Sequence, residues 1–412
     1  MDMMIPLGGG NEIGASAYLY MIGGKNILID FGIRFNPEEP YPDPEFLKTL
    51  APELDAIIIT HAHIDHCGAF HIISSFYPET PVYTTFETAE LLSVMVEDAI
   101  KVRYIGIEEE ATSEYKLFDE AFLRIERKDF FSSIVIDNIE ITLYPAGHIL
   151  GAAAVLMKWE GKTLFHTGDI SLKDQITVKG AVLPEEKIDY LIMESTYYYT
   201  KTEKTSGETL EESISRILSR KGKILIPVFA LGRAQEIISI IKEGIKSGEI
   251  PPVNVYVDGL AREICNIYEH NIDREFFNFY IQPAPRYEGL SFEEACEENI
   301  READIIVSTS GMLMENTPSH AYAKIIGKRG KNGIIFSGYL SEESFGFKLM
   351  KNRHQFKQFK CEILKHHLSA HSKREDLEKI RRILRPEKTI LIHGYPGKHH
   401  KEHAANREVI YL

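Results

Sequence analysis

The stretch "IIITHAHIDHCGAF", residues 57–70, joins a buried-strand pattern to a loop that is dense in histidine. Its first residues are apolar or β-branched, and they predict a strand that stops near Thr60. Three histidines and one aspartate follow in the pattern His-x-His-x-Asp-His, from His61 to His66. Imidazole nitrogens and carboxylate oxygens are ligands that zinc prefers in proteins. The stretch therefore predicts a metal site at the open end of a strand.

Other side chains that can bind a metal lie at or near the ends of further predicted strands. They are Asp30, His148, Asp169, Glu194, His371 and His393. Loops at one edge of a sheet commonly carry catalytic and binding residues. We therefore expect these side chains to contribute to the same site as the histidine-rich stretch.

Two metal shells can be assembled from these residues. One consists of His61, His63 and His148, and the other of Asp65, His66 and His393. Asp169 is predicted to bridge them, because a carboxylate has two oxygens and an imidazole presents one nitrogen to a metal. Two metals roughly 3.5–4 Å apart can hold a hydroxide at neutral pH and clamp a phosphoryl oxygen. Asp65 is also a candidate to orient that hydroxide, and Asp30 is expected to fix the tautomer of a ligand imidazole.

Length and composition are typical of a large globular protein. The chain has 412 residues, of which 44% are hydrophobic and 26% charged, and this favours two or three domains. No apolar run approaches the ~20 residues of a membrane span, and no secretory signal is visible at the start. The four cysteines form no CxxC pair, which favours a reducing cytoplasm over a disulfide framework.

The net charge of -14 argues weakly against a nucleic-acid partner, but the charge is unevenly distributed. Residues 351–412 contain 15 lysines and arginines against 7 acidic residues. A basic segment within an acidic chain can form a phosphate-binding face, or it can simply be a solvated helix surface. The charge pattern leaves both interpretations open.

The pattern of apolar residues differs between the two halves of the chain. The first half is rich in short strand patterns. It includes residues 133–144, where Asp137 and Asn138 predict a hairpin turn, and residues 86–104 have helical periodicity. From about residue 207, helix and strand patterns alternate, which predicts a parallel-sheet α/β domain. The C-terminal segment returns to strand, helix and strand.

The order of the metal-ligand motifs resembles the metallo-β-lactamase superfamily. Further motifs narrow the resemblance to the β-CASP nucleases, namely MESTY (193–197), FALGRAQEI (229–237), STSGML (308–313), SAHS (369–372) and LIHG (391–394). The resemblance implies an α/β fold. A metallo-β-lactamase αββα sandwich would span residues 1–198 and 358–412, and a parallel-sheet β-CASP α/β domain would be inserted over residues 199–357.

The same resemblance implies roles for individual residues. Asp65, Glu194 and His371 would be catalytic, with His371 contacting the scissile phosphate and protonating the leaving oxygen while Glu194 is hydrogen-bonded to it. Substrate contacts would come from Arg233, Ser310, Gly311 and Ser369. From the residues alone, Arg233 is equally consistent with a solvated helix position, and the Ser310–Gly311 turn with an inert turn.

The leading hypothesis is a zinc-dependent ribonuclease with two Zn²⁺ per chain and single-stranded RNA as its substrate. Endonucleolytic cutting is the first choice, since the motif variants resemble the cleavage-and-polyadenylation-factor branch more than RNase J. A 5′-to-3′ exoribonuclease of the RNase J type is the alternative. Two other classes are a non-catalytic scaffold subunit of an RNA-processing complex and a small-molecule metallo-hydrolase. The expected partners are RNA and either a second copy or an RNA-processing complex, with no membrane.

Overall fold

The structure of the protein is a computed structural model that describes residues 3–34, 38–199 and 207–395, and the backbone of residues 409–411. The chain divides into two compact units. The first unit comprises residues 1–201 and 371–412, and the second comprises residues 202–370.

Before the chain enters the second unit, the described residues of the first unit form eleven strands and five helices. The strands are β1 (Met3–Gly8), β2 (Ala17–Ile22), β3 (Lys25–Ile29), β4 (Ala56–Ile58), β5 (Val82–Thr85), β6 (Ile125–Lys128), β7 (Ser133–Ile136), β8 (Ile139–Pro145), β9 (Ala153–Trp159), β10 (Lys162–His166) and β11 (Tyr190–Glu194). The helices are α1 (Pro44–Leu50), α2 (Ile64–Cys67), α3 (Phe70–Phe76), α4 (Phe86–Arg103) and α5 (Glu108–Phe122).

Strands and helices alternate along the second unit, and the chain then returns to the first. The second unit contains α6 (Leu210–Ser219), β12 (Ile224–Pro227), α7 (Arg233–Ser247), β13 (Val255–Asp258), α8 (Ala261–Asn271), β14 (Ile281–Pro283), α9 (Phe292–Glu302), β15 (Ile305–Ser308), α10 (Pro318–Ile326), β16 (Gly333–Phe336), α11 (Phe345–Lys351), a 3₁₀ turn (Arg353–Gln355) and β17 (Glu362–Lys365). The return consists of α12 (Arg374–Leu384), β18 (Lys388–Ile392) and β19 (Val409–Tyr411).

The first unit is built from two mixed sheets. One has the strand order β1-β2-β3-β4-β5-β6, and it is antiparallel up to β3 and parallel from there on. The other has the order β19-β18-β11-β10-β9-β8-β7, in which β10, β11, β18 and β19 run parallel. The C-terminal strand β18 therefore lies beside β11, and it pairs Ile392 with Glu194. This pairing brings two predicted site motifs to the same sheet edge.

The core of the first unit lies between its two sheets. One buried cluster contains Tyr20 and Ile58 from the first sheet together with Trp159, Ile192 and Ile390 from the second. Apolar residues on the facing sides of both sheets lose contact with water in this arrangement, which is the main stabilising contribution to such a sandwich. Because the sheets are packed against each other, the loops at their edges start from rigid positions.

The second unit contains one parallel sheet of six strands. Its order is β14-β13-β15-β12-β16-β17, with helices in the connections between successive strands. Strands such as β15 and β16 are buried along their whole length, as expected when helices cover both faces of a parallel sheet. The predicted α/β alternation from residue 207 is confirmed for this unit.

Two local predictions can also be compared with the elements. The predicted hairpin at residues 133–144 is formed by β7 and β8, with Asp137 in the left-handed region at φ 50°. The predicted helix at residues 86–104 is α4. None of the helices in the described part of the chain combines the length and apolar composition that crossing a bilayer requires.

Candidate active site and metal centre

The histidine-rich stretch leaves β4 as a loop and then turns into the short helix α2. His61 and His63 precede this helix, while Asp65 and His66 lie on it. Close packing fixes its position, since a Cβ on Gly32 would lie 1.9 Å from the carbonyl oxygen of Asp65. Only glycine permits this approach, so Gly32 helps to hold the site in position.

Two site residues adopt backbone conformations that are unusual for residues other than glycine. Asp30 has φ 60° and directly follows β3, and His393 has φ 51° and directly follows β18. The left-handed conformation costs roughly 1–2 kcal/mol for an L-residue. Such conformations occur disproportionately at functional sites, where surrounding contacts maintain them.

One group of potential ligands consists of His61, His63, His148 and Asp169. Asp169 Oδ2 lies 3.6 Å from His61 Nε2 and 3.6 Å from His148 Nε2. His148 Nε2 is also 3.0 Å from His63 Nδ1. Except for His63, which is half-buried, these side chains are buried.

A second group consists of Asp65, His66 and His393. His393 Nε2 lies 3.4 Å from Asp65 Oδ2. The other oxygen of Asp169, Oδ1, faces this group at 3.5 Å from His66 Nε2 and 3.3 Å from His393 Nδ1. The two oxygens of Asp169 thus face different groups, which is the arrangement that a bridging carboxylate requires.

The charges in these groups strongly influence one another. Burial opposes protonation of His66, but the carboxylates of Asp169, Asp30 and Asp65 outweigh it and raise the pKa of His66 to about 10. Burial also opposes ionisation of Asp65 and Asp169, yet the neighbouring histidines hold the pKa of both carboxyls below its usual range. The site therefore attracts positive charge, and a bound cation can take the place of the proton.

Hydrogen bonds from neighbouring residues orient the imidazole rings of the candidate metal site. Asp30 Oδ2 lies 2.7 Å from His66 Nδ1, as expected for a carboxylate that fixes the tautomer of a ligand imidazole. The Thr60 hydroxyl donates to the same carboxylate at 2.8 Å and lies 3.0 Å from His61 Nδ1. Thr196 Oγ1 lies 3.1 Å from His393 Nδ1 and donates to the His393 carbonyl at 3.2 Å.

His371 is placed beside these groups by contacts of its own loop. Ser372 N donates to Ile170 O at 2.7 Å, and Ser372 Oγ accepts from Leu172 N at 3.1 Å. His371 Nδ1 lies 3.0 Å and 3.2 Å from the two oxygens of Glu194, which is fully buried. Burial opposes protonation of His371, but Glu194 and Asp169 outweigh it and raise the pKa of the imidazole to about 9.

The four residues predicted to bind substrate belong to the second unit. Arg233 is the first residue of α7 and follows Gly232, which has φ 81°. Ser310 and Gly311 lie just beyond β15, and Ser310 Oγ accepts from Met312 N at 3.3 Å. Ser369 is half-buried in the segment after β17. Their contacts with RNA stay a prediction.

The donor set fits a divalent metal of the zinc type. Ligands at the corners of a tetrahedron with zinc–nitrogen bonds of about 2.0–2.1 Å lie roughly 3.3–3.4 Å from each other. The separations of 3.5–3.6 Å between Asp169 and the Nε2 atoms of His61, His66 and His148 are close to this value and longer than normal hydrogen bonds. His61 Nε2 and Asp169 Oδ1 are buried and have no hydrogen-bond partner among the described residues. A cation would satisfy both atoms.

A third set of potential ligands, Asp169, Glu194 and His371, is arranged differently. The contacts between His371 and Glu194 are within ordinary hydrogen-bond range. The Glu194 carboxylate also accepts from Ile170 N at 2.8 Å. This pair is satisfied by its own hydrogen bonds and needs no ion.

Comparisons with known proteins agree with the family that the sequence motifs resemble. Residues 19–189 match a family model described as a metallo-beta-lactamase superfamily domain, and residues 234–349 match a Beta-Casp domain. Residues 358–410 match a Zn-dependent metallo-hydrolase RNA specificity domain. An RNase J-like protein of Methanocaldococcus jannaschii is 34% identical over 94% of this chain and 91% of its own length.

The chain belongs to the β-CASP family of the metallo-β-lactamase superfamily. This confirms the predicted family and fold class, and it makes the chain a metal-dependent hydrolase of the nuclease class, as predicted. The fold also implies that the chain binds divalent metal.

Two further relatives and one solved structure are also similar to this chain. Transcription termination factor FttA of Lokiarchaeum sp. is 29% identical over 96% of this chain and 67% of its own length. Integrator complex subunit 11 of Danio rerio is 27% identical over 95% of this chain and 69% of its own length. A solved structure of a protein of unknown function from Enterococcus faecalis V583 is 16% identical, with a TM-score of 0.62 over 99% of this chain and 97% of that chain, and it shows the shared fold.

Sequence reasoning missed the hydroxyl groups that support the ligands. Thr60 directly precedes His61 and Thr196 lies within the MESTY motif, but neither side chain is among the predicted site residues. Gln175 was missed as well, although its amide donates to the carbonyls of Gly147 and His148 at 2.9 Å and 2.8 Å. The adjacency of the two threonines to ligand motifs was the available signal, whereas Gln175 carried none.

Proposed function

We propose that the protein is a two-zinc ribonuclease that hydrolyses phosphodiester bonds of single-stranded RNA. The observation that carries the proposal is the position of Asp169, whose two oxygens face two separate groups of ligands. His61, His63 and His148 would hold one zinc, and Asp65, His66 and His393 the other. When bound, two zinc ions supply Lewis acidity and a nucleophile at neutral pH, and they suit phosphodiester hydrolysis.

Three side chains perform the proton chemistry in this proposal. Asp65 has a pKa well below its usual range, so its carboxylate accepts a hydrogen bond from the attacking water and orients it. His371 protonates the leaving oxygen, because the carboxylate of Glu194 stabilises the protonated ring. Glu194 also fixes the ring orientation through Nδ1, and Asp30 holds His66 in one tautomer.

The substrate class is supported by the names of the relatives and the third matched domain. One relative is named an RNase J-like protein and another a transcription termination factor, and residues 358–410 match a domain described by RNA specificity. Arg233, Ser310, Gly311 and Ser369 would contact the RNA. A small-molecule hydrolase does not need the second unit, and a non-catalytic scaffold does not need a complete ligand set.

We further propose that cutting is endonucleolytic, with 5′-to-3′ exonucleolytic degradation as the second candidate. The exonuclease candidate is favoured by the RNase J-like name of the relative that is 34% identical. A circular single-stranded RNA distinguishes the two modes because it has no end. Opening of the circle by the zinc-loaded protein supports the endonuclease. A circle that survives while the same linear RNA is degraded from its 5′ end supports the exonuclease.

We also propose the compartment and the assembly state in which the protein acts. The four cysteines, Cys67, Cys265, Cys296 and Cys361, are free and buried, and this suits a reducing cytoplasm. The protein would work as a homodimer or in an RNA-processing complex. The domain boundaries at residues 198–199 and 357–358 stay a prediction.

A further inference from the structure

Phe229 is an aromatic residue at the carboxyl edge of the parallel sheet in the second unit. It lies two residues beyond β12, and 36% of it is exposed. Gly311 follows β15 and Gly338 follows β16, and these are the two strands that flank β12. A Cβ on Gly311 would lie 3.2 Å from ring atom Cδ2, and one on Gly338 would lie 3.2 Å from Cε2.

The two glycines fix the ring in place on one side. Both separations are tighter than ordinary van der Waals contact, so a Cβ at either position would require the ring to shift by a few tenths of an ångström. The ring is held by close backbone packing and still exposes part of its surface. A ring that is already ordered loses little conformational entropy when a flat partner stacks on it.

The loops that contain these glycines expose two further apolar side chains. Tyr339 directly follows Gly338 and is 57% exposed, and Met314 lies three residues beyond Gly311 and is 41% exposed. The carboxyl edge around Phe229 therefore presents aromatic and thioether groups from three adjacent strands. Such groups are suited to planar, weakly polar partners.

A positively charged group lies at the same edge. Arg286 Nη2 is 2.8 Å from Asp258 Oδ1 at the end of β13, and the arginine side chain is 55% exposed. The buried Asp258 carboxylate also accepts from Tyr322 Oη at 2.8 Å and from Gly259 N at 2.8 Å, which fixes its position. Only β15 separates β13 from β12, so the ends of these two strands are roughly 10 Å apart at about 4.8 Å per strand.

We infer that Phe229 stacks on an unpaired nucleobase of single-stranded RNA and that Arg286 contacts a phosphate of the same strand. The inference deepens the proposed function and rests on it. Proteins that bind single strands combine positive groups along the backbone with aromatic rings under the bases. An apolar peptide would match the rings but not the cation beside them. Bases within a duplex are already stacked, so this site selects unpaired RNA.

The experiment uses the full chain and a short single-stranded 2′-O-methyl oligonucleotide that contains 2-aminopurine, whose fluorescence falls when it stacks on an aromatic ring. Phe229→Leu removes the ring but keeps an apolar side chain, and Phe229→Tyr keeps the ring. Phe279→Ala is the matched control, because Phe279 is 80% exposed and precedes β14 at the opposite edge of the sheet. Thermal melting checks that each variant is folded.

The unaltered protein, Phe229→Tyr and Phe279→Ala should bind the oligonucleotide and quench its fluorescence. Phe229→Leu should lose the quenching and bind roughly 5- to 150-fold more weakly, the range for loss of one base–aromatic stack. Unchanged quenching and affinity in folded Phe229→Leu overturn this inference while leaving the proposed function intact. An unaltered, zinc-loaded protein that neither binds nor cuts RNA overturns the proposed function and this inference together.

Discussion

His371 Nδ1 lies 3.0 Å from Glu194 Oε1, although the two residues are far apart in the sequence. The contact exists because β11 ends at Glu194 and because the loop containing His371 is bonded to the loop that follows β10. It places an imidazole with a carboxylate partner beside the ligand groups without including it in them. His371 and Glu194 would therefore move protons, whereas the two ligand groups would hold metal.

Replacement of His371 by alanine should reduce the rate of RNA hydrolysis by roughly 10²–10⁴-fold, the usual scale for loss of a general acid. Zinc content should be unchanged, because the hydrogen bonds of His371 Nδ1 are to Glu194, which lies outside the two ligand groups. Single-turnover cleavage and elemental analysis measure the two quantities. His270→Ala is the control, since His270 is an exposed histidine on α8. Loss of zinc from His371→Ala would show that His371 is a ligand.

Replacement of His63 by alanine should lower the zinc content from two per chain, because one of the two groups loses a ligand. Asp169→Asn should have a larger effect, since one oxygen of the bridging carboxylate becomes an amide nitrogen that cannot bind zinc. Elemental analysis of protein purified without chelator gives the content directly. Normal zinc content in His63→Ala would remove His63 from the site.

Thr196→Val should weaken zinc binding by about 10- to 100-fold, the usual effect of losing a hydrogen bond that orients a ligand histidine. Valine keeps the shape of threonine but removes the hydroxyl that lies 3.1 Å from His393 Nδ1. Thr196→Ser keeps the hydroxyl and should retain most of the affinity. Competition with a chromophoric chelator measures the affinity. Equal affinities for the valine and serine variants would exclude this role for Thr196.

The buried pair His71 and Glu114 should make the fold less stable in acid. Burial lowers the pKa of His71, although the hydrogen bond to Glu114 at 3.0 Å acts in the opposite direction. Above pH ~6.5 the ring is neutral in both the folded and unfolded chains. Below that pH the unfolded chain takes up a proton that folded His71 does not, so stability falls as pH falls.

Comparison with His71→Gln isolates this effect, since the glutamine amide can still donate to Glu114. The free energy of unfolding of the unaltered protein minus that of the variant should decrease from pH 7 to pH 5. Its slope should not exceed about 1.4 kcal/mol per pH unit for one proton. Denaturant unfolding at a series of pH values measures the difference. A difference that grows as pH falls would mean that folded His71 is protonated.

Much of the ligand set could be predicted from the sequence, because metal ligands cluster in short motifs at strand ends. His61, His63, Asp65 and His66 occur within six positions, so their proximity needs no knowledge of the fold. The contact of β18 with β11 is different, since nothing local specifies that a strand near residue 390 pairs with one near residue 192. The family resemblance implies only that residues 358–412 return to the first domain, and it does not specify this pairing.

The supporting hydroxyls could not be predicted for a physical reason. Whether Thr196 bonds to His393 depends on side-chain rotamers and on the left-handed backbone of His393, and neither leaves a clear signal in the sequence. Gly32 is a similar case. Glycines are common in turns, and only the packed structure shows that this one allows contact with the Asp65 carbonyl.

The central claim is that two zinc ions per chain enable this protein to cut RNA. It is tested most directly by adding zinc stepwise to chelated protein while measuring cleavage of a single-stranded RNA. Cleavage should be absent at the start, rise up to two equivalents of zinc per chain and then level off. RNA that stays intact when two zinc ions are bound, or cleavage that persists in excess chelator, would contradict the account.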